Sequence, residues 1–101
     1  RERLYQLVAH FAQNVKPYYF DFNAVIWALD DMEPAQGLAL LKDLQAQLRL
    51  IKGGVLAHER QVASTLPFGP RQIVKQYRMV ISSLVDWIDE VVVEFEQVYV
   101  S

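Results

Sequence analysis

The sequence predicts an all-α fold: a long antiparallel helical hairpin, residues 34–65 and 70–99, with two shorter N-terminal helices packed on it in the manner of a four-helix bundle. Three observations lead there. Apolar residues recur at alternating spacings of four and three through both long stretches, which holds them on one face of a helix. The clearest break in the chain, Leu66-Pro67-Phe68-Gly69-Pro70, falls between those stretches. Two long helices joined by so short a connector lie antiparallel.

The chain has 101 residues, 52% of them apolar and 22% charged. That length and balance suit one globular domain, residues 1–101, with a real core. The chain opens on Arg1, as a trimmed one would. No signal-peptide pattern is visible, and no apolar run approaches the ~18 residues of a membrane span.

The first segment, Arg1 to Lys16, reads as a helix. Leu4, Val8, Phe11 and Val15 are spaced four, three, four, with Leu7 on the same side. Pro17 ends it, because the residue before a proline is pushed out of the helical region. A dense aromatic connector follows, with Tyr18, Tyr19, Phe20 and Phe22. Asp21 can cap the free N–H groups of a short second helix, from about Phe22 to Asp31. Val25, Ile26 and Leu29 point inward there, with Trp27 on the flank. The aromatics can plug one end of the bundle or form a docking patch.

Pro34 opens the third helix, where a proline loses only an N–H that had no partner. Leu41, Leu48, Val55 and Val62 form one heptad set. Leu44, Ile51 and His58 form the other. The phase runs unbroken through Gly53-Gly54, which favours one continuous helix over a turn. Each glycine weakens that helix by about 1 kcal/mol relative to alanine.

The last helix has the longest regular row. Tyr77, Leu84, Val91 and Val98 share one heptad position; Ile73, Val80 and Trp87 share the other. Its end, Val-Val-Val-Glu-Phe-Glu-Gln-Val-Tyr-Val, is rich in β-branched residues and could be read as a strand. The four-three-four spacing of Ile88, Val91, Phe95 and Val98 favours helix.

Charge supports the hairpin. Asp86, Asp89, Glu90, Glu94 and Glu96 crowd the end of the last helix, on the wrong side of its dipole. Folding at the connector sets them beside Lys42, Arg49 and Lys52. At the other end Arg71, Lys75 and Arg78 meet Glu59.

Several chemistries are not supported. There is no cysteine, hence no disulfide framework and no thiol nucleophile. The residues three before His10 and His58 are Leu7 and Val55, so the Glu-x-x-His pairs of di-iron bundles are missing. Asp86, Glu90 and Glu94 lie four apart and read as a solvated face rather than a cation site. Ser64-Thr65 and Ser82-Ser83 have no positioned base, and no nucleotide-binding or hydrolase motif occurs. A net charge of −2 gives no reason to expect nucleic acid or an anionic membrane.

The expectation is therefore a non-catalytic protein–protein interaction module: an adaptor, assembly factor or small subunit. No cofactor or metal is expected. Its partner would be another chain, either an identical one or part of a larger complex, and its setting cytoplasmic. Tyr18, Tyr19, Phe20, Phe22 and Trp27 are the first candidate contacts, then Val92, Phe95 and Tyr99. Arg71, Lys75 and Arg78 form a small basic patch. His58 is the one polar residue of the expected seam and a candidate pH-sensitive position. The alternative is a bundle enclosing a small apolar ligand or cofactor, with His58 and Tyr77 as polar handles.

Overall fold

The computed structural model describes residues 23–100, all of whose regular structure is helical. The chain divides into two units, Arg1–Glu33 and Pro34–Ser101. In the first, residues 23–28 are helical and form α1. A 3-10 turn, Leu29–Asp31, tightens its end, and Met32 N–H closes that turn on the Leu29 carbonyl at 3.2 Å. Val25 and Ile26 are half-buried and Leu29 is buried, as expected, while Trp27 is 88% exposed. The expected first helix, the Asp21 cap and the aromatics Tyr18, Tyr19, Phe20 and Phe22 lie outside the described residues.

The second unit is the hairpin. Helix α2 spans Pro34–Val62 and α3 spans Phe68–Tyr99. They pack against each other, antiparallel, since Arg49 pairs with Asp89 and Glu59 with Arg78. Helix α2 passes through Gly53-Gly54 without a break. Helix α3 stays helical to Tyr99, so tertiary packing outweighs the β-branched propensity of its end. No helix among the described residues is long and apolar enough to cross a membrane.

The connector is slightly longer than expected at one side and shorter at the other. Helix α2 stops at Val62 rather than Thr65, because Leu66 precedes a proline and cannot stay helical. The Val62 carbonyl, left without an intrahelical partner, accepts from Thr65 N–H, Leu66 N–H and Thr65 Oγ1, each at 3.0 Å. Helix α3 starts at Phe68, two residues before Pro70. Pro67, extended with ψ 173°, precedes it without a side-chain cap. Pro70 sits in the first turn, where a missing N–H costs nothing. Arg71 N–H makes an early bond of the ladder, to the Pro67 carbonyl at 3.1 Å.

The expected seam of α3 needs correction. Its buried residues are Val74, Ile81, Val85, Ile88, Val92 and Phe95. Every one lies a single residue after, or in phase with, a shift by one from the row of Ile73, Tyr77, Val80, Leu84, Trp87, Val91 and Val98. That expected row is half-buried to exposed instead. One residue is about 100° of helix, so the row lies on a flank of α3, not at its contact with α2.

On α2 the expected phase holds in the first half: Leu41, Leu44 and Leu48 are buried. Beyond the glycines it drifts. His58, expected in the seam, is exposed, and half-buried Glu59 takes the inward side. An α-helix slips about 20° per heptad against a strict seven-residue repeat. Over the two heptads from Leu44 to His58 that slip reaches about 40°, which carries His58 outward and brings Glu59 toward the contact.

Candidate functional site

The two edges of the hairpin differ chemically. One carries its cross-helix polar contacts. Gln45 Nε2 donates to Asp89 Oδ1 at 2.7 Å, and Arg49 Nη2 reaches the same oxygen at 2.9 Å. Toward the connector, Arg78 Nε lies 2.8 and 3.1 Å from the two carboxylate oxygens of Glu59. The Gln45 hydrogen bond, then Arg49, with Lys52 adding its charge, holds the Asp89 carboxyl below its ordinary pKa despite some desolvation. The Arg49 and Asp89 side chains remain 57% and 40% exposed, so this is a surface pair of modest worth.

Asp89 follows Ile88, on one side of the buried row. The row of Ile73, Tyr77, Val80, Leu84, Trp87, Val91 and Val98 precedes the buried residues, so it lies on the other side. That edge of α3 is apolar for almost its whole length. Val80 is 36% exposed and Val98 72%. The other five are half-buried, and burial pushes the Tyr77 phenol pKa up. The charge argument finds Arg49, Asp89 and Glu59 from sequence. It misses Gln45, which carries no charge to signal the contact.

The expected docking residues separate. Trp27 is exposed on α1. Phe95, expected as a contact with Val92, is buried, as Val92 is. Tyr99 remains exposed, its ring tilted 37° against that of Phe95 at 4.7 Å between centroids. The surface at that end therefore comes from Val98, Tyr99 and Val100 rather than from Phe95.

The basic patch is divided too. Arg78 is held by Glu59, whereas Arg71 and Lys75 are exposed. They line a half-open hollow of about 360 Å³ at the connector, with Glu59, Gln72, Val74 and Leu66. Neither His58 nor Tyr77, the handles of the ligand-binding alternative, lines it. Among the described residues no three His, Asp or Glu side chains gather closely enough to hold a metal ion. Asp86, Glu90 and Glu94 are all exposed along one face of α3.

No family model, curated protein or solved structure matches this chain.

Proposed function

We propose that the protein is a non-catalytic interaction module, an adaptor, assembly factor or small subunit, working through an apolar helix surface. One observation carries this reading. Helix α3 has two adjacent apolar rows, one buried and one half-buried, and the second leaves Val80 and Val98 exposed. The second runs from Ile73 to Val98, about 38 Å at about 1.5 Å per residue. Apolar rows of that length and regularity serve helix–helix contacts. The lack of cysteine suits a reducing compartment, and the reading includes a cytoplasmic setting.

The ligand-binding alternative calls for an enclosed apolar cavity with a few inward polar groups. The hollow beside Arg71 and Lys75 is half open and lined by Glu59 and those two cations as well as by apolar residues, so it is not the enclosed apolar cavity that the alternative calls for.

The test is a Val80→Lys, Val98→Lys double variant. Both side chains are exposed, so the helix content and melting temperature should change little. The native-source assembly, followed by size and co-fractionation, should lose the variant. An assembly unchanged by both lysines would count against the apolar row as the working surface.

A further inference from the structure

We infer that the solvent-facing stripe of α3 pairs with the same stripe of a second copy of this chain, antiparallel about a two-fold axis level with Val80 and Ile81. The inference goes beyond the proposed function and uses a different surface, since Val80 and Val98 lie off this stripe. Three observations carry it.

The first is the unused charge. The two cross-helix ion pairs of the hairpin take up Arg49, Asp89, Glu59 and Arg78. Arg71 and Lys75 near the connector, and Asp86 and Glu90 further along α3, are exposed. Among the described residues these four make no ion pair. Helix α3 thus shows solvent two unspent cations at one end and unspent acids beyond its middle. A parallel neighbour of the same kind sets like charge against like. An antiparallel one sets opposite charges together.

The second is the spacing. Phe68, Met79 and Glu90 lie eleven residues apart, as do Arg71, Ser82 and Val93, and Lys75 and Asp86. Eleven residues are close to three whole turns, so all of them stay on one stripe. Every residue of the stripe is exposed except Ser82, which is half-buried. In chain order the spacings run three, four, four, three, four, four, three, which reads the same in reverse.

The third is what reversal brings together. Phe68 comes level with the partner's Val93, two exposed apolar side chains. Arg71 comes level with the partner's Glu90, and Lys75 with the partner's Asp86. Met79, beside the axis, comes level with the partner's Ser82, which is small enough to leave its thioether chain room. Every pairing is apolar with apolar, opposite charge with opposite charge, or large with small. An isologous contact requires this self-complementarity. Exposed ion pairs are individually weak and screened by salt, so the dimer is a reversible one.

Sedimentation equilibrium over a dilution series should give a monomer–dimer equilibrium that added salt weakens. Lys75→Asp and Asp86→Lys should each weaken the dimer roughly tenfold. The combined variant should restore it. The two positions are about three turns apart along one helix, so only contact between chains accounts for such a rescue. Both side chains are exposed, and circular dichroism melts check that each variant folds. A monomer at every concentration overturns the inference. So does a dimer that both single variants leave unchanged, or one that the combined variant does not restore. The Val80→Lys, Val98→Lys variant separates this inference from the proposed function. It should leave the dimer intact. A dimer dissolved by those two lysines would overturn the stripe and leave the apolar row standing. A dimer and a native-source assembly that both survive them would leave the stripe standing and overturn the apolar row.

Discussion

The two halves of the hairpin are built to different standards. Away from the connector, where residues 34–52 face residues 85–99, Leu41, Leu44 and Leu48 lock against Val85, Ile88, Val92 and Phe95, all buried. Nearer the connector only Val74 and Ile81 are buried. Val55, Leu56 and Val62 of α2 are half-buried there, and two exposed glycines sit in mid-helix. Burial of apolar surface stabilises the fold in proportion to area. The half remote from the connector therefore anchors the hairpin. The connector half is held by a thinner contact and the Glu59–Arg78 pair.

The sharpest way to break this contrast is to truncate one side chain in each half. Leu48→Ala should cost about 2–5 kcal/mol by denaturant unfolding, because Leu48 is buried and leaves a cavity. Val55→Ala, half-buried near the connector, should cost about 1 kcal/mol. Equal losses would erase the distinction between the halves.

The glycines offer the next largest effect, with opposite sign. A Cβ at Gly53 or Gly54 would meet nothing within 4 Å, and neither has positive φ. Gly53→Ala with Gly54→Ala should therefore stabilise the protein by up to about 2 kcal/mol, raising the unfolding midpoint. A loss of stability would mean the connector half needs that soft point.

Smaller still is the Glu59–Arg78 contact. A double-mutant cycle with Glu59→Gln and Arg78→Gln should return about 0.2–1 kcal/mol of coupling, since both side chains are partly exposed.

The last prediction concerns pH. The folded pKa of Asp89 is depressed, so its contribution is full above the ordinary aspartate value, about 3.9. It is lost as pH falls through the folded pKa. The stability gap between wild type and Asp89→Asn should shrink in acid and stay flat from pH 5 to 7. A gap that persists in strong acid would assign the effect to packing rather than to ionisation.

Much of the fold is legible because it depends on local rules. The break before Pro67 follows from proline geometry, although α3 begins at Phe68 rather than at Pro70. The continuity of α2 through Gly53-Gly54 follows from heptad phase, which a turn would have lost. The pairing of Arg49 with Asp89, and of Glu59 with Arg78, follows once the hairpin is antiparallel. The surface was harder to read. Phe95 looks like a docking residue and is core, whereas His58 looks like a seam residue and faces outward.

The sequence by itself determined that two long helices form, where they break, and that they run antiparallel with matched charges. Spacing, proline sterics and charge order decide those things within each segment. Only the tertiary structure decided which apolar row of α3 meets α2. Two rows one residue apart have the same period, and periodicity cannot rank them. Packing does. Helix axes in contact lie about 8–10 Å apart, which suits the compact row of Val74, Ile81, Val85, Ile88 and Val92. The bulkier Tyr77 and Trp87 stay half-buried on the flank of α3.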